Sequence, residues 1–155
     1  MILKAGDQAP LFSSKDQDGK PVELSKFKGK KVVLYFYPED DTPTCTVEAC
    51  NLRDNYSVLT EKGIIVLGVS PDDEKKHKKF ATKYNLPFSL LADEKKVIID
   101  LYGVWGEKNL YGRKYMGIKR TTFLIDEKGL ISKIFQKPKS KIHSEEIINA
   151  FSLLS

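Results

Sequence analysis

Hydrophobic positions along the chain follow two patterns, continuous apolar runs and apolar residues at helical spacing. The runs at 32–37 and 64–69 are typical of strands buried on both faces of a sheet. Helical spacing marks residues 43 to about 62, with Gly63 as a stop, and a final segment that we expect Ser144 to cap. The inward residues predicted for these two helices are Val47, Leu52, Tyr56, Leu59, Ile147, Ile148, Phe151 and Leu154.

Shorter elements are predicted between these segments. Turn residues at 16–19 predict a hairpin that joins 11–13 to 21–24. Ser70-Pro71-Asp72 predicts a helix start, with Phe80 and Tyr84 facing inward and a helix end at 85–87. The other expected elements are a strand at 89–92, a helix at 94–102, a connection without regular structure at 103–117, and a hairpin of 118–126 with 130–135.

Strands that alternate with helices, followed by a hairpin and a closing helix, indicate the α/β class. The chain has 155 residues and a mass of 17.6 kDa, which suits a single domain over 1–155 with one sizeable core. We therefore expect a central mixed β-sheet flanked by helices, with an N-terminal β-hairpin as an extension.

The net charge of +5 changes this picture little. The lysines are scattered through predicted helices and turns without an aromatic-interleaved basic stripe, so a solvated surface and no specific nucleic-acid partner are expected. No apolar run is long enough for a membrane span or a signal peptide, which favours a cytoplasmic protein. His77 and His143 lie far from both cysteines, so we expect solvated or capping histidines and no metal.

Both cysteines lie in the stretch 35–50, where an apolar strand passes into a predicted helix. Thr42 suits the N-cap and Pro43 the first helical position, where a missing N–H costs nothing. Cys45 then falls in the first turn, where the helix dipole favours a thiolate and makes it available as a nucleophile.

Cys50 follows Cys45 by five positions on the same predicted helix. Five helical steps separate the two Cα atoms by roughly 8.6 Å. A disulfide needs Cα atoms within about 7 Å, so an intact helix forbids this bond. If the two cysteines pair during function, the helix must unwind locally first.

The residues around Cys45 resemble the peroxiredoxin family. Pro38-x-x-x-Thr42-x-x-Cys45 matches its active-site pattern, and 36–50 is similar to the bacterioferritin comigratory protein (peroxiredoxin Q) branch. Further matches lie at 69–72, 84–88, 102–107 and 115–126, so the resemblance covers nearly the whole chain. It implies a thioredoxin-like fold. Thr44 stands where that branch is expected to have glycine. The Cβ of Thr44 restricts the backbone just before the nucleophile.

The resemblance implies a role for five residues. Cys45 is the peroxidatic thiol that attacks the O–O bond, and Cys50 is the resolving thiol that converts its sulfenic acid into a disulfide. Arg120 folds back onto the thiolate and polarises the peroxide, and the Thr42 hydroxyl supplies a further donor. Pro38 shields the site from water, besides ending the strand.

Residue chemistry alone leaves other interpretations open. Cys45 and Cys50 can each be read as buried apolar thiols, and Arg120 as a surface charge. Glu48 either orients Arg120 or decorates the first helical turns, and neither interpretation is preferred. Trp105 is expected to be a half-buried loop aromatic.

The resemblance implies a thiol peroxidase for hydrogen peroxide and organic hydroperoxides, recycled by thioredoxin or a similar dithiol reductant. It implies an antioxidant enzyme without metal, haem or flavin, and we expect a monomer. Two alternatives share the scaffold: a non-enzymatic redox-switch or chaperone protein, and a protein disulfide oxidoreductase. The absence of Cys-x-x-Cys counts against the second of these.

Overall fold

The computed structural model describes residues 2–154, with the side chain of Leu154 outside that description. Its strands are β1 (Ser13–Lys15), β2 (Pro21–Glu23), β3 (Lys31–Phe36), β4 (Ile64–Ser70), β5 (Ser89–Ala92), β6 (Trp105–Leu110), β7 (Arg113–Ile118), β8 (Thr121–Ile125) and β9 (Ile131–Phe135). Its helices are α1 (Pro43–Asp54), α2 (Tyr56–Glu61), α3 (Glu74–Tyr84), α4 (Val97–Tyr102) and α5 (His143–Leu154). Short 3-10 turns occupy Leu24–Phe27 and Ser140–Ile142. Within the described residues, no helix has the length and apolar character needed to cross a bilayer.

A five-stranded mixed sheet in the order β5-β4-β3-β8-β9 forms the centre of the fold. β3 runs parallel to β4 and antiparallel to β8, so it is the middle strand. Its alternate side chains enter two separate cores. Leu34 packs on the side of α4, and Tyr35 packs on the side of α1, α3 and α5. The predicted mixed sheet flanked by helices is confirmed, and both apolar runs are strands buried on both faces.

Two small hairpins lie outside this sheet. β1 and β2 pair across a turn in which the Asp16 carbonyl accepts from the Gly19 N–H, so the predicted N-terminal hairpin is confirmed with a slightly later first strand. The expectation of irregular chain at 103–117 is wrong. β6 and β7 pair there across Tyr111 and Gly112, which both adopt left-handed conformations.

The predicted continuous helix 43–62 is interrupted at Asn55. The Asn55 side chain donates to the Asn51 carbonyl at 2.9 Å and thereby competes with the helical backbone pattern, as asparagine commonly does. Val47 is 39% exposed, so its assignment to the inward face is wrong, whereas Leu52 and Leu59 are buried as predicted. Tyr56 is half-buried and Gly63, with positive φ, ends α2.

The starts of α3 and α5 differ from the positions that the sequence pattern predicts. Ser70 ends β4, and the helix begins four residues later, at Glu74, because the Asp73 carboxylate accepts the Lys76 N–H and caps α3. Ser144 does not cap α5: it lies inside the helix, and no described residue hydrogen-bonds its hydroxyl.

The inward faces of α3 and α5 largely follow the predicted spacing. Phe80, Ile147 and Phe151 are buried, and Tyr84 and Ile148 pack against the same core half-buried. The prediction for Leu154 lies outside the described side chains. The C-terminal hairpin forms from β8 and β9, as predicted.

Candidate active site

The start of α1 places Cys45 at the end of the central strand. Thr42 has an extended backbone, and its carbonyl accepts the first helical N–H, from Thr46, at 2.9 Å. Pro43 is the first helical residue, which puts Cys45 in the first turn as predicted. The Thr42 hydroxyl, however, donates to the Glu39 carbonyl at 3.0 Å and does not cap the helix.

Arg120 lies over the Cys45 thiol. It precedes β8, the antiparallel neighbour of β3, and its Nη2 donates to Cys45 Sγ at 3.2 Å. Cys45 is only 2% exposed, so this contact takes place in a largely dehydrated environment. Water therefore screens the charge of the guanidinium only weakly at the sulfur. The interpretation of Arg120 as a plain surface charge is therefore wrong.

Glu48 holds the other side of the same guanidinium. Arg120 Nη1 donates to Glu48 Oε1 at 2.7 Å, and the Glu48 side chain is fully buried. Burial raises the pKa of Glu48 to about 7, because it outweighs the attraction of Arg120. Of the two roles left open for Glu48, orienting Arg120 agrees with the structure and surface decoration does not.

Lys108 is a further charge near the site that the sequence pattern missed. It lies on β6 opposite Tyr115, and its side chain extends over Gly117, where a Cβ would come within 3.3 Å of Lys108 Cδ. Burial and the charge of Arg120 lower the pKa of Lys108, while Cys45 acts in the opposite direction. Recognition of the turn between β6 and β7 would have placed this lysine on a hairpin strand, although not near Cys45.

Cys50 lies half-buried on the same uninterrupted helix as Cys45. Both cysteines are free thiols. Ideal helical geometry again separates their Cα atoms by roughly 8.6 Å, too far for a disulfide. The structure thus contains the reduced arrangement, in which pairing requires α1 to open.

The remaining predicted site residues occupy the periphery. Pro38 is half-buried just beyond β3, and its shielding role stays a prediction. Trp105 is half-buried, as expected, but it is the first residue of β6 and not part of a loop. The Lys96 ammonium lies 4.0 Å from its ring centroid.

Both histidines are buried, so the expectation of solvated side chains is wrong. His77 Nδ1 lies 2.6 Å from Asp40 Oδ2, and its Nε2 lies 3.0 Å from the Leu91 carbonyl. His143 contacts Glu146 and Thr122. Burial lowers the pKa of His143, although Glu146 opposes the shift.

Asp40, Asp72 and His77 present ligand atoms within 4.8 Å of one another. Internal hydrogen bonds account for this cluster. Asp40 accepts from the Tyr37 hydroxyl at 2.6 Å, and Asp72 accepts the Asp40 N–H at 2.7 Å. The cluster therefore serves to connect the loop after β3 with α3.

The fold and this site define a thiol-dependent peroxidase. A cysteine in the first turn of a helix, contacted by an arginine whose second arm is fixed by a buried carboxylate, has the geometry that suits a nucleophile beside hydrogen-bond donors. Comparison with known proteins gives the same class. The family model described as AhpC/TSA family matches residues 5–134, and the chain belongs to that family.

Curated relatives match over almost their full length. Peroxiredoxin Bcp of Bacillus subtilis is 44% identical over 155 residues, which cover 100% of this chain and 99% of the relative. Peroxiredoxin Bcp of Escherichia coli K12 is 48% identical over 147 residues, with 95% and 94% covered. The chain is thus a peroxiredoxin, which decides against the non-enzymatic and disulfide-oxidoreductase alternatives.

Solved structures of the same branch share the architecture. Bacterioferritin comigratory protein of Xanthomonas campestris superposes with a TM-score of 0.89 at 29% identity, covering 97% of this chain and 99% of that one. BcpB of Mycobacterium tuberculosis superposes with a TM-score of 0.86 at 32% identity, covering 99% of both chains. The predicted thioredoxin-like α/β fold is confirmed.

Proposed function

We propose that Cys45 is the peroxidatic thiol of this enzyme. Its thiolate attacks the terminal oxygen of a hydroperoxide, the O–O bond breaks, and water or an alcohol leaves after taking up a proton. Cys45 is left as a sulfenic acid. The observation that carries this assignment is the pair of bonds from Arg120, one to Cys45 Sγ and one to Glu48. The second bond fixes the guanidinium, so its charge is in place before the oxygen leaves.

Thr42 and Pro38 complete the site in this proposal. Thr42 supports the loop that enters α1 through its bond to the Glu39 carbonyl, and its hydroxyl can turn toward a bound peroxide. Pro38 is half-buried just beyond β3, and its proposed role is to exclude water from the thiolate.

Cys50 then resolves the sulfenic acid. Its thiol sulfur bonds to Cys45 Sγ, the sulfenic hydroxyl leaves, and the Cys50 proton leaves with it as water. The described residues contain no other cysteine that could take this role. Because the two Cα atoms lie too far apart on intact α1, the step includes local unwinding.

Hydrogen peroxide and organic hydroperoxides are the proposed substrates. The X. campestris relative is described as reducing alkyl peroxides. The proposed reductant is a thioredoxin-type dithiol that returns both cysteines to free thiols, and the proposed compartment is the cytoplasm, where thiols are kept reduced. We propose the monomer as the active form, with Cys45, Cys50, Thr42, Arg120 and Pro38 of one chain as the site.

Intact mass and thiol counting on reduced protein test these roles. One equivalent of hydrogen peroxide should remove both thiols and lower the mass of a monomeric species by about two hydrogens. Cys45→Ser should lose peroxide turnover completely, whereas Cys50→Ser should react once and stop as an oxygen adduct. Appreciable turnover by Cys45→Ser would refute its assignment, and a disulfide-linked dimer would remove Cys50 from its intramolecular role.

A further inference from the structure

Asn51, the residue after Cys50, attaches α1 to the segment that precedes and begins α5. Its Nδ2 donates to the Lys141 carbonyl at 2.9 Å, and its Oδ1 accepts the Ser144 N–H at 2.8 Å. One amide thus satisfies a backbone acceptor and a backbone donor on a different part of the chain. Asn51 is not part of the site described above.

The next two residues attach the same part of α1 to other elements. Leu52 is fully buried in the core beneath the helix. Arg53 Nη1 donates to the Tyr84 carbonyl at the end of α3, at 2.9 Å. Three consecutive residues, 51–53, therefore hold the second half of α1 against α5, the core and α3.

The first half of α1 has looser surroundings. Its outer residues Pro43, Thr44 and Val47 border an open, mostly apolar groove of about 480 Å³, with the 3-10 turn before α5 on the other side. On the inner side, this half is held by the buried side chains of Cys45, Glu48 and Ala49, and its hydrogen bonds to the rest of the chain come from Arg120 alone among the bonds described here. The strength of attachment thus changes within the helix, close to Cys50.

We propose that Asn51 is a positioning residue for disulfide formation, because it anchors Cys50 while the residues before it unwind. The inference rests on the resolving role proposed for Cys50. The opening is one-sided: residues 43–49 leave the helical conformation and carry the Cys45 sulfenic acid to a stationary Cys50 thiol. The S–S bond forms at the position of Cys50, and water is released as in the resolving step described above.

Anchoring acts on the competition that follows the first oxidation. The Cys45 sulfenic acid either meets the Cys50 thiol or reacts with a second peroxide to give sulfinic acid. A stationary thiol next to the unwound segment is present at a high effective concentration. Release of the anchor lets Cys50 move with its own segment, which lowers that concentration.

The test compares wild type, Asn51→Ala and Asn51→Asp by rapid quenching and mass spectrometry. Asn51→Ala should form the disulfide about fivefold to tenfold more slowly, since two hydrogen bonds each contribute a few-fold, and should accumulate more sulfinic acid. The rate of Cys45 oxidation should stay within about twofold of wild type. Asn51→Asp keeps the acceptor for Ser144 and loses the donor to Lys141, so its rate should fall between the other two.

Asn55→Ala is the matched control, because the Asn55 side chain bonds to the Asn51 carbonyl within the same stretch and does not reach α5. It should form the disulfide at the wild-type rate. Faster pairing in Asn51→Ala would show that Asn51 is a latch that must release, and an unchanged rate would show no role; either result overturns the anchor. If wild type itself forms no intramolecular disulfide, the resolving role of Cys50 fails as well.

Hydrogen exchange of the oxidised protein provides a readout that a general loss of stability would not reproduce. In oxidised wild type, amides at 46–49 should exchange rapidly and those at 52–54 should stay protected. In oxidised Asn51→Ala, protection should also be lost at 52–54. Equal exchange across the whole helix in oxidised wild type would refute one-sided opening.

Discussion

At the scale of single residues, Glu48 is the least expected feature of the site. It occupies a fully buried position on the inward face of α1, where helical spacing had placed Val47. Arg120 donates a hydrogen bond to Glu48 Oε1, and no described residue donates one to Glu48 Oε2. The molecule thus keeps an incompletely satisfied carboxylate one turn from the thiol, so the protonation of Glu48 links the stability of the site to pH.

This link predicts how stability depends on pH. The pKa of Glu48 is raised to about 7 in the folded protein from 4.5 in the unfolded chain, so its contribution is fully present below about pH 4.5 and is lost as pH rises through about 7. Glu48→Gln stays neutral, so it should match wild type at pH 4.5 and exceed it by on the order of 2–3 kcal/mol at pH 8. Urea unfolding of the reduced proteins across this range measures the difference.

Glu61→Gln provides the control, because it makes the same change on α2 at an exposed position. Its difference from wild type should not vary over the same pH range. Other groups that titrate there, including buried His143, are present in every variant and cancel in the comparison. A Glu48→Gln difference that is constant with pH would contradict the prediction.

The sequence predicted the residues that come from one local segment. Thr42, Pro43 and Cys45 are ordered by local rules for helix starts, and all three lie where those rules place them. Arg120 could be connected to Cys45 only through family resemblance, since strand pairing brings together residues 75 positions apart. The burial of His77 was missed because its partner Asp40 lies 37 positions away.

At the scale of elements, the β6–β7 hairpin brings a cation to the site from outside the central sheet. Its strands are exposed on most positions, so they lack the alternation that marks a half-buried strand. Its turn contains Tyr111 and Gly112, without the Asn-Gly signal of such turns. These two facts explain why the sequence pattern indicated an irregular connection.

The hairpin predicts an electrostatic contribution from Lys108 to Cys45 oxidation. Lys108→Gln should lower the rate of thiol oxidation by hydrogen peroxide about twofold to tenfold at low ionic strength, because a positive charge that interacts with Cys45 is removed. The deficit should shrink at about 0.5 M salt, where screening weakens the interaction in wild type. Stopped-flow measurement of thiol oxidation at both salt concentrations checks this.

Lys114→Gln is the matched control on the same hairpin. Lys114 is exposed and lies 3.7 Å from Glu107, so its replacement should leave the oxidation rate close to wild type at both salt concentrations. An equal fall in both variants would assign the effect to hairpin structure, and the charge of Lys108 would then have no specific role.

At the scale of the whole molecule, sheet order is what the sequence pattern could not give. Apolar runs identified β3 and β4 as buried strands, yet the position of β3 between β4 and β8 follows from pairings across most of the chain. That order brings Arg120 beside the start of α1. The local hydrophobic pattern therefore predicted the individual strands and helices, whereas the long-range strand pairing brings the site residues together.

The placement of both cysteines on one intact helix also has a consequence for the reduction potential of the enzyme. If Cys45 and Cys50 pair as proposed, the disulfide form lacks part of α1, and reduction is favoured because it restores that helical packing. In a two-electron couple, every 1.4 kcal/mol recovered raises the potential by about 30 mV. We expect a midpoint less negative than the roughly −270 mV of thioredoxin, measured by equilibration in dithiol redox buffers. A more negative midpoint potential would contradict this prediction. A less negative one would mean that the refolding of α1 helps to drive electron transfer from the reductant to the disulfide.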